Sequence, residues 1–366
     1  MITINLLTDL NLEDLRLGIN KIDSHLLTLL NERMDLVKKV GELKHQTHAA
    51  IYRPEREKAI ITRLTEENRG LLNQKAIEAI FLEIFATARN IELPEKIAYM
   101  GPQGSFTHQA AESRFGALGD YIMLPSIKAV FESVDTERAR FGVIPIENNQ
   151  AGIVYETVDL LNERDVSIVA ELKISIHFAL GSVAEKLTDI KRIYSKDIAF
   201  RQCRGFLNKY FEQQGIEEIQ VESTSKAAKL AFEDPESAAI CSEIAAKLFG
   251  LPMLFKNIED NSNNRTRFFI LSKDFENEPS GNDKTTLIAR LRHTESSGVL
   301  ADFLNEFKNQ DINITKIESR PYKGDEEFNF WFFIEVEGNH QDENLSAVLA
   351  KYGKDIKVLG SYVKNI

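Results

Sequence analysis

Apolar residues recur at helical spacing through Leu12, Leu15, Ile19, Ile22, Leu26, Leu29, Leu36, Val37, Val40 and Leu43, with no proline between Asp9 and His45. That period predicts one long helix carrying a single apolar stripe. At 1.5 Å per residue the rod is roughly 50 Å long. A chain of this size has few surfaces able to cover it, so the pattern predicts packing against a copy of itself. Arg53-Pro54 marks a new start, with Pro54 in the first turn of a second helix. A third helix is predicted from about Gln74 to Glu92, with Ile77, Ile80, Phe81, Ile84, Phe85 and Ala88 facing inward.

Beyond Leu93-Pro94-Glu95-Lys96 the pattern changes. Ile97-Ala98-Tyr99-Met100 reads as a strand, followed by the loop Gly101-Pro102-Gln103-Gly104-Ser105-Phe106-Thr107 and a helix from about His108. Strand, glycine loop and helix form the geometry that aims backbone N–H groups at an anion. Phe141-Gly142-Val143-Ile144-Pro145-Ile146 leads in the same way into Glu147-Asn148-Asn149-Gln150-Ala151-Gly152, and Ser223-Thr224-Ser225-Lys226 is an N-cap cluster opening another helix. Strands and helices alternate through residue 271, which predicts an α/β architecture. Two such units predict two lobes with a ligand cleft between them.

In Asn264-Arg265-Thr266-Arg267-Phe268-Phe269-Ile270 a polar loop becomes a strand. The aromatic tail is suited to a buried strand. The head holds a hydroxyl between two permanent cations. It is either a solvated strand end or a place where Thr266, beside a fixed cation, meets an anionic substrate with an oxygen leaving group.

Residues 275–283 form a polar stretch with Pro and Gly, read as a linker and domain boundary. Beyond it, strands at 285–291, 312–319, 328–336 and 356–363 and helices at 298–308 and 345–352 give the order β-α-β-β-α-β, the ferredoxin-like plan.

Charge and composition narrow the picture. At 366 residues, two or three domains are expected. The net charge of −11 argues against nucleic acid and anionic membrane surfaces as partners. No apolar run approaches a membrane span, and 1–11 lacks the basic and apolar blocks of a secretion signal. Cys203 and Cys241 make neither a disulfide framework nor a metal pattern, which fits reduced thiols in a cytoplasmic protein. The histidines show no ligand spacing, so no metal is expected.

Two cations interrupt the stripe of the long helix. Arg33 and Lys44, eleven residues apart, share a face to within about 20°. Unpaired charges on a core face are costly, so either a carboxylate pairs with them or they wait for an anion. Arg16 points elsewhere on the helix, where it can serve a second subunit.

The run Leu15-Arg16, Ile22-Asp23, Leu29-Leu30-Asn31-Glu32-Arg33, Val40-Gly41-Glu42-Leu43-Lys44 and Tyr52-Arg53-Pro54-Glu55-Arg56-Glu57 resembles an all-helical chorismate mutase. The resemblance implies an intertwined dimer with two sites, each completed by Arg16 of the partner. It implies that Arg16 and Arg33 hold the substrate carboxylates. Lys44 and a protonated Glu92 would flank the ether oxygen, Glu57 would take the ring hydroxyl, Arg53 and Ala88 would line the pocket, and Arg56 would support it. The implied rearrangement of chorismate to prephenate is pericyclic and needs a compact conformer and charge stabilisation, with no nucleophile and no cofactor.

Gly101-Pro102-Gln103-Gly104-Ser105-Phe106, Pro145-Ile146-Glu147-Asn148, Tyr194-Ser195 with Gln202-Cys203, Ser223-Thr224-Ser225 and Thr266-Arg267-Phe268 resemble prephenate dehydratase. This family has a two-lobed, periplasmic-binding-protein-like fold. By that match Thr266 donates to the departing hydroxyl, and Arg267 and Asn148 hold or position the carboxylates. Ser105, Phe106, Ser195, Gln202, Ser223, Thr224 and Phe268 line the site. Lys196 stands where the family often carries a histidine, a departure from the family pattern.

Ser297-Gly298-Val299-Leu300-Ala301 and Glu318-Ser319-Arg320-Pro321 resemble the signature loops of an ACT regulatory domain. That implies L-phenylalanine bound near Gly298, Val299, Leu300, Glu318, Ser319 and Arg320 between paired subunits. The expected units are 1–93 (mutase), 96–273 (dehydratase) and 284–366 (ACT). The expected protein is a bifunctional, phenylalanine-inhibited, dimeric or tetrameric enzyme. Its rivals are a mutase with an inactive dehydratase-like unit and a non-catalytic binder of aromatic or amino acids.

Overall fold

The structure is a computed structural model that describes residues 11–47, 54–92, 95–273, 275, 277–291, 297–322 and 330–364, with only the backbone described at 44–47 and 54–55. Three helices come first: α1 (Leu12–Thr47), α2 (Pro54–Glu67) and α3 (Gln74–Glu92). Gly41 brings α1 against the end of α3: a Cβ there would lie 3.3 Å from the Glu92 Cα. The N-terminal half of α1 is exposed on every side, with nothing packed on it among the described residues. Ile22 is 68% exposed and Leu26 53% exposed. Burying such a side chain is worth roughly 1.5–3 kcal/mol, so the bare stripe is strongly unfavourable as it stands. On α3, Ile77 and Phe85 are buried as expected, whereas Ile80 faces outward.

Residues 95–273 form two α/β lobes. The first holds β1 (Lys96–Met100), α4 (Phe106–Phe115), β2 (Asp120–Leu124), α5 (Ile127–Asp135), β3 (Phe141–Asn148), the short β4 (Gly152–Ile153), α6 (Tyr155–Glu163) and β5 (Ser167–Ser175). The second holds β6 (Ala179–Gly181), β7 (Arg192–Ser195), α7 (Asp197–Gln202), α8 (Arg204–Phe211), β8 (Glu217–Gln220), α9 (Thr224–Glu233), β9 (Ser237–Cys241), α10 (Glu243–Phe249) and β10 (Met253–Lys256). The chain then returns to the first lobe as β11 (Arg265–Ser272).

The first sheet runs β2-β1-β3-β11-β5, and the second β10-β6-β9-β7-β8. β11 lies antiparallel between β3 and β5. The outgoing and returning crossings lie side by side, joined by the Ile176 N–H donating to the Asn264 carbonyl at 2.8 Å. Thr266 therefore sits where the return crossing enters the first sheet. Cys203 and Cys241 are free and buried, and burial pushes the Cys241 thiol up to about 12.

The C-terminal unit comprises β12 (Asp283–Ala289), α11 (Val299–Asn309), β13 (Ile314–Pro321), β14 (Phe330–Glu337), α12 (Glu343–Tyr352) and β15 (Ile356–Val363). Its sheet order, β13-β14-β12-β15, is antiparallel throughout and ferredoxin-like. β15 meets β5 so closely that a Cβ on Gly360 (φ +143°) would fall 2.1 Å from the Ile168 carbonyl oxygen.

The start of the stretch read as a linker is packed into this seam, while residues 278–282 are exposed. Phe275 is buried, and the Asn277 amide donates to the Val169 and Ser361 carbonyls at 2.8 Å each. The Asn277 side chain is there to bond two strands rather than water.

Candidate active sites

The helical unit holds a cavity of about 310 Å³ lined by Arg33, Val37, Arg56, Glu57, Ala88, Arg89 and Glu92, among others. Arg33 is half-buried, and its Nη1 has no hydrogen-bond partner. Its guanidinium lies 5.8 Å from the Phe85 ring centroid. Burial lowers its pKa, the cost of a charge held out of water and ready for an anion. Ala88, with its small side chain, leaves the floor open. Arg16 is exposed on the bare half of α1 in this single chain. The Lys44 side chain and Arg53 lie outside the described residues.

Glu57 departs from the expectation that it waits for a hydroxyl alone. Its Oε2 accepts from Arg114 at 2.8 Å, and its Oε1 pairs with Arg89. Sequence reasoning missed both cations. Arg89 sits on α3, where a lone basic residue reads as the end of a helix, and Arg114 belongs to α4, 57 residues from Glu57 in sequence.

The second site is built around β3 and β11, where Thr266 is the register partner of Asn148. The Asn148 Nδ2 donates to the Thr266 hydroxyl oxygen and to the Asn264 Oδ1, each at 2.9 Å, with the Arg265 carbonyl at 3.2 Å sharing the group. The Asn148 Oδ1 accepts from the Gln150 and Ala151 N–H groups. Because Thr266 accepts from Asn148, its own hydroxyl proton is available to a further acceptor. From the second lobe, Gln202 donates to the Gln150 Oε1 at 2.7 Å and accepts from the Asn264 Nδ2 at 3.2 Å. Asn264 and Gln150 join the network although neither stood among the expected site residues. The signal was their place beside Thr266 and Asn148.

The glycine loop closes the other side. Gly104 has φ +82°, and a Cβ there would meet the Ser225 Oγ at 2.8 Å and the Ala245 Cα at 3.1 Å. Ser225 and Ser242 donate from the second lobe to the Gln103 and Gly104 carbonyls. Ser105 caps α4, accepting from the His108 N–H at 3.2 Å, and Ser223 caps α9. The Gly104 N–H donates to the His108 Nδ1 at 3.2 Å. Burial lowers the His108 pKa, in keeping with a neutral ring that accepts there. Phe106 packs edge-on to Phe178 at 5.6 Å, touching the cores of both lobes. Thr224 is the first residue of α9 and is partly exposed.

Three expected site residues are engaged elsewhere. Ser195 is fully buried, and its hydroxyl donates to the Ile240 carbonyl at 2.7 Å, so the second sheet uses it. Phe268 is core, because strand alternation turns it into the packing between α4 and the first sheet. Arg267 alternates to the opposite face from Phe268 and lies over Phe269 at 5.4 Å. There it makes two hydrogen bonds of 2.7 Å to Glu335 of β14, with Glu171 and Glu147 each at 3.1 Å. Lys284 joins Glu171 at 2.9 Å. Burial opposes the Arg267 charge, but the Glu335 carboxylate, with Glu171, raises its pKa overall. Three carboxylates hold this guanidinium, Glu335 from the C-terminal sheet and Glu171 and Glu147 from the first lobe, while its Nε has no hydrogen-bond partner.

A family model described as chorismate mutase type II matches residues 15–93, and one described as prephenate dehydratase matches 97–276. A bifunctional chorismate mutase/prephenate dehydratase of Aquifex aeolicus is 38% identical over 360 residues, covering 96% of this chain and 98% of that one. One from Pseudomonas aeruginosa is 36% identical over 364 residues, with 97% and 98% covered. The chain belongs to the bifunctional chorismate mutase/prephenate dehydratase family. The solved prephenate dehydratase from Arthrobacter aurescens, in complex with L-Phe, superposes with a TM-score of 0.65 at 30% identity, covering 74% of this chain and 90% of that one.

In this family member the segments 297–301 and 318–321, the second of them strand rather than loop, fall at the same end of the antiparallel sheet, since β12 and β13 both run antiparallel to β14. Gly298 (φ +92°) precedes α11, and Val299 and Leu300 pack against the C-terminal core. Glu318 and Ser319 lie on the edge strand β13. Arg320 is committed to the first lobe: it grips Asp159 of α6 through two contacts of 3.0 and 2.9 Å and stacks over Tyr155 at 4.4 Å. Among the described residues, no group of three His, Cys, Asp or Glu side chains is arranged to hold a metal, and no helix is long and apolar enough to cross a membrane.

Proposed function

We propose that the chain converts chorismate to prephenate in the helical cavity and prephenate to phenylpyruvate at the Thr266 network. The observation that carries the reading is that one chain holds both an apolar cavity with an unpartnered Arg33 nitrogen and a strand-end threonine held by Asn148. In the first reaction Arg33, with Arg16 from a paired α1, fixes the two carboxylates in a compact conformer. Lys44 and Glu92 stabilise the negative charge developing on the ether oxygen, Glu57 receives the ring hydroxyl, and Arg53, Arg56 and Ala88 shape the wall. In the second, Thr266 donates its proton to the departing hydroxyl as carbon dioxide leaves and the ring becomes aromatic. Asn148, Gln202, Ser105, Phe106, Ser223 and Thr224 surround prephenate between the lobes.

The units implied are 1–93, 96–273 and 284–366. The exposed stripe of α1 supports pairing of two copies, as a dimer or as half of a tetramer, in the cytoplasm. The ferredoxin-like unit is an ACT domain, and L-phenylalanine binds near Gly298, Val299, Leu300, Glu318 and Ser319 to inhibit the dehydratase. The test is one assay: chorismate is added to the purified chain, and prephenate and phenylpyruvate are followed with and without L-phenylalanine. Phenylpyruvate formation, suppressed by L-phenylalanine, supports the whole reading. Accumulating prephenate removes the second activity, and persisting chorismate removes the first.

A further inference from the structure

The wall of the helical cavity is not built from the helical unit alone. Glu57 lines both the 310 Å³ cavity and a neighbouring one of about 630 Å³ that opens between α2, α3 and the first lobe. Its carboxylate divides between two guanidinium groups, Arg89 on Oε1 and Arg114 on Oε2. All three side chains are well covered, at 15% exposure for Glu57, 7% for Arg89 and 8% for Arg114. Arg89 is itself anchored to α4, donating to the Phe115 carbonyl at 3.2 Å and lying 5.7 Å from the Phe115 ring centroid. Both cations that orient Glu57 are therefore fixed by α4, the first helix of the dehydratase region.

We propose that Arg114 is a positioning residue for the mutase reaction: from the dehydratase region it holds the Glu57 carboxylate in the rotamer that meets the ring hydroxyl of the substrate. The proposal rests on the reading of the helical cavity as the chorismate site. A glutamate has three rotatable bonds, and a charge-assisted contact of 2.8 Å on one oxygen removes most of that freedom before substrate arrives. Removing Arg114 leaves Glu57 with one cation and a freed oxygen, able to swing toward Arg33 or Arg56 and occupy the anion's place.

The test uses the full-length chain and four variants: Arg114→Met, Arg114→Lys, Glu57→Gln and the double variant Arg114→Met/Glu57→Gln. Chorismate consumption is measured together with prephenate turnover on the same preparation. The expected result for Arg114→Met is a fall of about ten- to a hundredfold in kcat/KM for chorismate, the scale of one charge-assisted contact. Arg114→Lys recovers part of it, and prephenate turnover stays within about twofold of the parent. The double variant is expected to be no slower on chorismate than Glu57→Gln alone, because Arg114 acts through Glu57.

Additive losses in the double variant overturn the proposal, as does an unchanged chorismate rate in Arg114→Met or Glu57→Gln. A parallel loss of both activities in Arg114→Met and Arg114→Lys also overturns it and assigns Arg114 to folding. If the parent chain itself leaves chorismate untouched, the reading of the cavity fails instead, a result distinct from all of these.

Discussion

Asn148 and Thr266 face each other across adjacent antiparallel strands, and the Asn148 amide donates to the Thr266 hydroxyl oxygen at 2.9 Å. The contact fixes which way the threonine proton points. Thr266→Val removes that donor while preserving shape, and the expected loss in prephenate turnover is about two to three orders of magnitude. Thr266→Ser retains most of the rate. Chorismate consumption by Thr266→Val stays at the parental level, and a valine variant that still forms phenylpyruvate at the parental rate removes Thr266 from the mechanism.

Arg267 stands one residue further on and has a different task. Its bonds to Glu335 join the first lobe to the C-terminal sheet inside a buried seam, beside Glu171 of β5. Breaking such a pair from one side leaves charge without compensation, so Arg267→Met is expected to cost about 3–5 kcal/mol in urea unfolding. The double variant Arg267→Met/Glu335→Gln is expected to cost less than the sum of the singles. Equal stability of Arg267→Met and the parent, combined with a raised KM for prephenate, returns Arg267 to the substrate.

Glu95 joins the helical unit to β1, and burial raises its pKa from the ordinary 4.5 to about 7 despite Arg140 at 3.6 Å. A carboxyl raised in the folded state favours folding when protonated. That contribution is complete below about pH 4.5 and is lost as pH climbs through about 7. At 1.36 kcal/mol per pKa unit it is on the order of 3 kcal/mol. Glu95→Gln is expected to flatten this part of the profile, measured as unfolding free energy at pH 5 and pH 8. An identical drop in both proteins assigns the dependence to other groups.

The α1 stripe gives a prediction about assembly. Leu26→Glu places a charge in the middle of the bare apolar face, where a paired copy would bury it. Sedimentation is expected to show dissociation, with loss of chorismate turnover and survival of prephenate turnover. A variant that keeps both its mass and its mutase rate moves the pairing surface elsewhere.

The pattern of apolar positions carries much of the architecture. The third helix runs from Gln74 to Glu92 and the last strand from Ile356 to Val363, as periodicity predicts, because both are edged by clear changes in pattern. The β-α-β-β-α-β order is legible for the same reason. What stays hidden depends on which face meets which neighbour. Alternation along β11 separates Thr266 from Arg267, but only the positions of β3, β5 and β14 show that carboxylates cover the second face. Asn277 reads as part of a linker because a hydrogen-bonding side chain resembles a solvated one in sequence. Arg114 lies in an unremarkable helix, and nothing local connects it with Glu57.

At Gly360 two backbones touch with no side chain between them. The C-terminal unit is therefore keyed to its neighbour at one fixed register, and any residue with a β-carbon jams the key. Exchanging this unit for a relative's requires the donor to bring its own glycine to the same rung, together with an acid in the place of Glu335 for Arg267 and a cation in the place of Lys284 for Glu171. Modular as the chain reads in sequence, its last module is a fitted part.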